Sequence, residues 1–192
     1  AGTPLVSDPG FKLVRAAIAE GLAVTALPGP SAALAALALA GLPTDRFLFA
    51  GFLPSKAGER LRALEELKSV RATLILFESP QRLSESLAAM HQVLGDRPAA
   101  VTRELTKLHE DVRRGALSEL AAHYEKAGPP RGEVTLVIGP PAEIVPDTAA
   151  IDAALKAALP FMPVKAAADM LAALTGAARK SVYDRALDLK DE

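Results

Sequence analysis

Segments with two different apolar patterns alternate along most of this chain, and that alternation constrains its fold more than any other feature. Short runs rich in large apolar and β-branched residues predict strands at residues 22–27, 47–52, 72–77, 99–103 and 133–138. Segments with helical spacing lie beside them, at residues 11–20, 31–40, 57–68, 79–94 and 118–126. Strands that alternate with helices predict an α/β fold, with ligands bound at the carboxyl ends of the strands.

The last quarter of the chain has a different character. Residues 140–148 are rich in proline and predict a linker. Three short helical segments come after it, at residues 149–158, 164–174 and 178–189. The break at Thr175-Gly176 between the last two suggests a helix-turn-helix module.

Composition excludes several classes of protein. Half of the 192 residues are hydrophobic and both signs of charge are interspersed, which excludes a disordered chain. No apolar stretch is long enough to cross a bilayer, so we expect no membrane association. The absence of cysteine excludes thiolate chemistry and disulfides. A net charge of −1 argues against binding nucleic acid through a bulk positive field.

Four loops that follow predicted strands or precede predicted helices combine glycine, proline and small polar or charged residues: residues 2–10, 28–32, 77–82 and 103–107. Such loops bring backbone N–H groups close to a polar ligand, although each alone is also typical of an ordinary tight turn. None matches a P-loop, a dinucleotide-binding glycine motif or a nucleophile elbow. The three histidines lack the spacing of metal ligands, so we predict no metal site.

Taken in order, these loops resemble those of the tetrapyrrole-methylase-like family of S-adenosylmethionine methyltransferases. Within that family they look like the branch that methylates the 2′-hydroxyl of a cytidine ribose in small-subunit ribosomal RNA. The matching segments are residues 1–10, 28–32, 52–54, 78–80, 103–107 and 132–133, with single residues Lys56, Arg60, Arg82, Glu110, Arg114 and Gly115. The helical segment at 166–189 is similar to the small C-terminal domain of that branch.

The resemblance implies a two-domain α/β enzyme with S-adenosylmethionine in the cleft between its domains, acting as a cytoplasmic homodimer on ribosomal RNA or the small ribosomal subunit. The chain opens without methionine, directly in a glycine- and proline-rich loop. We therefore expect a truncated first domain at residues 1–43, a second α/β domain at 44–146 and a helical module at 147–192. By itself, such a truncated chain is expected to be inactive.

The resemblance also implies which residues act. Those expected to bind the cofactor are Gly2, Thr3, Pro4, Val6, Ser31, Ala32, Glu78 and Glu104. We assign RNA phosphate contacts to Lys56, Arg60, Arg82, Arg103 and Lys107. Glu78, Glu104, Lys107 and Glu110 are the candidates for the base that removes the hydroxyl proton, without a choice among them. The competing interpretation is that these acids form structural salt bridges with neighbouring arginines.

The sequence leaves two other functions open. A methyltransferase of the same fold that acts on a small tetrapyrrole needs a large apolar trough in place of a basic rim. A non-enzymatic nucleic-acid-binding or assembly protein would depend on the helical tail. There, Arg179, Lys180 and Arg185 are offset by three aspartates, which argues against strong binding by the tail alone.

Overall fold

The computed structural model describes residues 2–142 and 148–191. It separates into two compact units, Ala1–Pro141 and Ala142–Glu192. The boundary lies inside the predicted linker, of which residues 143–147 are outside the described residues. Residues 1–43 fall in the same unit as the sheet, and their assignment to a separate first domain stays a prediction.

The first unit contains five strands and five α-helices among its described residues. In chain order they are α1 (Phe11–Ala19), α2 (Ala32–Ala40), β1 (Phe47–Phe52), α3 (Ala57–Leu67), β2 (Thr73–Glu78), α4 (Leu83–Leu94), β3 (Pro98–Arg103), β4 (Asp111–Ala116), α5 (Leu117–Ala127) and β5 (Val134–Ile138). A short 3₁₀ turn, Pro80–Arg82, leads into α4. The alternation of strand and helix therefore confirms the predicted α/β class.

The sheet is mixed, in the order β1-β2-β5-β3-β4. β1 and β2 are parallel, whereas β5 runs antiparallel to both β2 and β3. In register, Val134 at the start of β5 lies opposite Glu78 on one side and Arg103 on the other. The carboxyl ends of β2 and β3 therefore meet the amino end of β5 at one edge of the sheet.

Both faces of the sheet are covered, because side chains of the central strands alternate between two apolar clusters. Leu74, Leu76, Val101 and Leu136 belong to a cluster that includes residues of α3, α4 and α5. The intervening Ile75, Ala100 and Val137 pack instead against α2. The alanine-rich sequence of α2 allows that helix to approach the sheet closely.

The ends of α2 agree with the sequence signals. Ser31 caps the helix, since its side-chain oxygen accepts a hydrogen bond from the backbone N–H of Leu34 at 3.4 Å. Gly41 ends it in the left-handed conformation, with φ of 72°. These two residues fix where the chain enters and leaves the face opposite α3–α5.

Two predictions of secondary structure were wrong. Residues 22–27 form no strand: no described strand pairs with them, and Leu22, Val24 and Leu27 are exposed. Conversely, β4 occupies a stretch that looks irregular and charged in sequence. β4 is an edge strand with little buried surface, so its residues do not need the apolar alternation by which strands are recognised.

The second unit consists, in its described part, of α6 (Thr148–Ala158), α7 (Val164–Thr175) and α8 (Arg179–Asp191). They share one apolar cluster: Ile151, Leu155, Ala167, Ala168, Leu171, Val182, Ala186 and Leu189. The Arg185 guanidinium binds both carboxylate oxygens of Asp152, at 2.8 and 2.6 Å, and so ties α8 to α6. Gly176, with φ of 71°, ends α7 where the helix break was predicted.

None of the helices in the described part of the chain has both the length and the apolar character needed to cross a membrane.

Candidate functional site

A cavity of about 510 Å³ lies in the first unit, at the sheet edge where β1 and β2 end and β5 begins. Five stretches of the chain surround it. Its lining residues are Gly2, Thr3, Val6, Ser7, Asp8, Pro30, Ser31, Ala32, Phe52, Phe77, Glu78, Ser79, Pro80, Gly132, Glu133, Val134 and Thr135. Three of the four loops singled out in the sequence therefore contribute to one concave surface.

The two N-terminal loops are bound to each other beside this cavity. The backbone N–H of Thr3 donates to the carbonyl oxygen of Pro30 at 2.9 Å, and the Thr3 hydroxyl donates to the same oxygen at 3.1 Å. Gly2 has a φ of 123°, and a Cβ atom there would lie 3.4 Å from that oxygen. A larger residue at position 2 would be strained by its backbone and crowded by Pro30.

Glu78 lines the cavity and is buried, with only 3% of its surface exposed. Its Oε1 accepts a hydrogen bond from the backbone N–H of Ser79 at 2.8 Å, and its Oε2 accepts one from the Ser86 hydroxyl at 2.6 Å. The guanidinium of Arg82 lies 3.4 Å from the same Oε2. Glu78 thus ties the end of β2 to the first turns of α4.

Glu104 is held in a different way, just beyond β3. Its Oε1 accepts from the backbone N–H of Glu133 at 2.9 Å and from the Lys107 ammonium at 2.8 Å. Lys107 also donates to Glu133 Oε2 at 2.8 Å. The hydrogen bond from Lys107, followed by that from the Glu133 backbone, lowers the pKa of Glu104. The same contacts with Glu104 and Glu133 raise the pKa of Lys107, which keeps it protonated and unsuited to accept a proton at neutral pH.

Backbone strain concentrates in the loops around this edge. Within the described part of the chain, the non-glycine residues with positive φ are Leu5, Ser7, Glu104 and Thr106, at 69°, 55°, 51° and 65°. The conformation of Thr106 is supported by Glu110, whose Oε2 accepts from the Thr106 backbone N–H at 2.7 Å. Strained non-glycine residues are typical of functional loops that the surrounding structure holds in place.

The structure brings most of the predicted cofactor residues together. Gly2, Thr3, Val6, Ser31, Ala32 and Glu78 line the cavity. Pro4 and Glu104 are outside its lining, although Glu104 binds Glu133, which is part of it. A cofactor role for any of these residues stays a prediction.

The residues predicted to bind RNA phosphates have dissimilar surroundings. Arg60 is only 6% exposed and pairs with Glu85 at 3.2 Å, which leaves little of its guanidinium accessible to a phosphate, and its assignment to phosphate contact stays a prediction. Arg82 donates to the carbonyl oxygens of Leu53 and Pro54 at 2.7 and 3.1 Å, which orients it toward the protein.

Lys56, Lys107 and Arg103 remain accessible. Lys56 is exposed and pairs with Glu59 at 3.2 Å. Lys107 is shared by the carboxylates of Glu104 and Glu133. Arg103 donates to the carbonyl oxygen of Arg131 at 3.2 Å and has no carboxylate within ion-pair distance among residues 2–142 and 148–191.

Several lining residues were given no role by sequence reasoning: Ser7, Asp8, Phe52, Phe77, Ser79, Pro80 and residues 132–135. Phe52 is the last residue of β1 and Phe77 the next-to-last residue of β2, and their rings are 5.6 Å apart. The signal that could have found them is their position as the last apolar residues before the ligand loops. Residues 132–135 line the cavity because β5 runs antiparallel to β2. The apolar pattern of a single segment does not show the direction of its strand in the sheet.

No group of histidine, aspartate and glutamate residues suited to a metal ion occurs in the described ranges.

The comparisons with known proteins agree with this architecture. Residues 1–121 match the family model of the tetrapyrrole (corrin/porphyrin) methylases, and residues 145–190 match that of the RsmI C-terminal HTH domain. Ribosomal RNA small subunit methyltransferase I of Mesorhizobium japonicum is 53% identical over all of this chain, which covers 65% of that protein. The protein of the same name from Erythrobacter litoralis is 52% identical over 92% of this chain, covering 63% of its own length. The chain thus spans slightly less than two thirds of these relatives.

Among solved structures, diphthine synthase is similar in fold. It superposes with a TM-score of 0.55 and 20% sequence identity, over 72% of this chain and 57% of that one.

Proposed function

We propose, on the basis that the chain belongs to the tetrapyrrole (corrin/porphyrin) methylase family, that it is the larger part of an enzyme that transfers a methyl group from S-adenosylmethionine to small-subunit ribosomal RNA. The proposed acceptor is the ribose 2′-hydroxyl of a cytidine. The observation that carries the proposal is the convergence of six residues expected to bind the cofactor on one cavity. The names of the relatives support ribosomal RNA as the substrate.

The cavity suits a ligand of the size and mixed polarity of S-adenosylmethionine. Its volume of about 510 Å³ is within the range usual for small-molecule sites. The rings of Phe52 and Phe77 offer apolar surface, while the loops at residues 2–8 and 30–32 offer backbone polar groups. The close approach of Gly2 to Pro30 leaves little room for a larger side chain at position 2, so that backbone lines the cavity there.

In this proposal the residues of the chain mainly bind and orient. Thr3 and Pro30 lock the two N-terminal loops together. Glu78 fixes the turn after β2, and the Glu104–Lys107–Glu133 network fixes the loops after β3 and before β5. S-adenosylmethionine, when bound, supplies the electrophilic methyl group. Orienting the hydroxyl toward that group is the contribution that a rigid wall of this kind makes to the rate.

Cofactor binding is tested by filling the cavity. In the full-length protein, Ser31→Trp is expected to abolish S-adenosylmethionine binding in calorimetry, because position 31 lines the cavity at the start of α2. Ser181→Trp, on the exposed side of α8, is the matched control and should bind the cofactor normally. Unchanged affinity in Ser31→Trp would remove this loop from the cofactor site.

The substrate is tested with methyl-labelled S-adenosylmethionine, small ribosomal subunits or their isolated RNA, and the full-length protein. We expect label in the RNA, released on digestion as 2′-O-methylcytidine. Label in an extract of small tetrapyrroles, with none in RNA, would favour the tetrapyrrole methyltransferase instead. RNA bound without transfer of label would favour a non-enzymatic assembly protein.

Two further features of the proposal concern the whole protein. We expect it to act in the cytoplasm, where ribosomal subunits are assembled, and to form a homodimer. Sedimentation of the full-length protein tests the dimer directly.

A further inference from the structure

A second concave surface, of about 380 Å³, lies beside the cavity and has a strongly basic rim. Its charged residues are Arg103, Arg113, Arg131 and Asp111, so that three guanidinium groups face one carboxylate. His123, Tyr124 and residues 127–130 complete it. We define Arg103, Arg113 and Arg131 as the arginine cluster.

The sheet register explains why the first two arginines are neighbours. Val101 lies opposite Arg113, and Arg103 lies opposite Asp111, in the antiparallel pair β3–β4. Side chains directly opposite share a face, so Arg103 and Arg113 are diagonal neighbours on the face covered by α5. Their long side chains reach the same space.

The third arginine comes from the segment between α5 and β5. The carbonyl oxygen of Arg131 accepts a hydrogen bond from Arg103 at 3.2 Å, which holds that segment against the end of β3. Arg131 borders the basic surface, whereas the next residue, Gly132, lines the cavity. The two concave surfaces are therefore adjacent at this point of the chain.

Charge in the cluster is balanced only in part by the protein. Among the described residues, none of the three arginines forms an ion pair within 4 Å, and Asp111 is the one acid in the lining, while Arg113 also hydrogen-bonds the Tyr124 hydroxyl. Burial raises the pKa of the Tyr124 hydroxyl, and Asp111 raises it further, whereas Arg113 and Arg103 lower it. Both guanidinium groups therefore lie near the Tyr124 ring. Like charges gathered in this way repel one another, and a bound anion removes that repulsion.

From this geometry we infer that the arginine cluster is a binding site for the phosphate backbone of the RNA substrate, beside the proposed cofactor cavity. An open surface with several guanidinium groups suits consecutive phosphates of a polymer, because each arginine can bind phosphate oxygens in a fork. The inference rests on the proposed function, since it takes RNA to be the substrate. It adds Arg113 and Arg131 to the predicted contacts and retains Arg103.

The test uses the full-length protein and its salt dependence of binding to small-subunit RNA. In Arg113→Gln/Arg131→Gln, two phosphate contacts are lost, and the slope of log affinity against log salt is expected to become shallower by about 1.4, at about 0.7 per contact on a single strand. Both residues are exposed, so the variant should fold. Its affinity for S-adenosylmethionine should equal that of the wild type.

The matched control is Arg62→Gln/Arg71→Gln, which removes the same charge from two other exposed arginines of the same unit. Its slope should equal the wild-type slope. If the wild type methylates RNA but Arg113→Gln/Arg131→Gln keeps the wild-type slope, or if both double variants lose slope equally, the arginine cluster is not the phosphate site and the proposed function stands. If the wild type leaves RNA unmethylated and unbound, the proposed function fails, and the inference fails with it.

Discussion

A glutamate stands where β2 ends and another where β3 ends, at the same edge of the sheet, yet the loops that follow them are held in different ways. Glu78 ends β2 and Glu104 comes directly after β3, and the two strands flank β5 at Val134. The Glu78 side chain is 1% exposed and that of Glu104 is 18% exposed. In sequence, both are a glutamate at the carboxyl end of a strand.

The next element of the chain after each strand accounts for the difference. After β2 the chain enters a 3₁₀ turn and α4, whose first turns bring Arg82 and Ser86 back over the carboxylate. After β3 the chain makes a loop to the edge strand β4, and the partners of Glu104 are an exposed lysine and the backbone of a distant segment. The loop after β2 is therefore part of the core. The loop after β3 is held at the surface by the contacts among Glu104, Lys107 and Glu133, which we call the surface clamp.

The comparison predicts the largest loss of stability at Glu78. Glu78→Ala removes an acceptor for Ser79 N–H and for the buried Ser86 hydroxyl, and it leaves Arg82 without its carboxylate. The free energy of unfolding in urea is expected to fall by about 3 kcal/mol, as for other buried charged networks. Glu78→Gln, which keeps an acceptor oxygen, should lose less.

Glu104→Ala is the matched control for the surface loop. Its partners Lys107 and the Glu133 N–H can bind water instead, so the change in unfolding free energy should be clearly smaller than at Glu78. Equal losses in the two alanine variants would contradict the division into a core loop and a surface clamp.

The sequence predicts a feature of this site when the residues that form the feature are close to one another in the chain. Ser31 as helix cap and Gly41 as helix end are contained in nearby residues, and both are confirmed. The convergence of residues 2–8 with 30–32 at one cavity agrees with their shared position in ligand loops. The surroundings of Arg60 were not predictable, because its partner Glu85 is 25 residues away and on another helix. The place of residues 132–135 depends on the antiparallel direction of β5, which no single segment encodes.

A smaller effect is predicted at Gly132, where the Glu104 side chain of the surface clamp lies against the backbone. Gly132 has φ of 97°, and a Cβ atom there would overlap the Glu104 side chain. Gly132→Ala is expected to lower the free energy of unfolding by about 2 kcal/mol, from the backbone conformation and the displaced carboxylate together.

Gly128→Ala separates the two causes. Gly128 also has positive φ, 76°, but nothing lies within 4 Å of its added Cβ atom. It should lose about 1 kcal/mol, from the backbone alone. If Gly132→Ala loses no more than Gly128→Ala in urea unfolding, contact between Gly132 and Glu104 contributes nothing to the loop.

The smallest predicted effect is a pH dependence of the surface clamp. The pKa of Glu104 is lowered by Lys107, so this contribution to stability is present above the ordinary glutamate value of 4.5 and is lost as pH falls through the lowered pKa. The pKa of Lys107 is raised by Glu104 and Glu133, so its contribution is complete below 10.5 and is lost as pH rises through the raised pKa. The difference in thermal midpoint between wild type and Lys107→Met should therefore be largest between these limits and shrink at both extremes.

Lys56→Met, which breaks one exposed pair with Glu59, should show a smaller difference because Lys107 is shared by two carboxylates and Lys56 pairs with one. A difference for Lys107→Met that stays constant from acid to alkaline pH would show that the lysine contributes through packing and not through its charge.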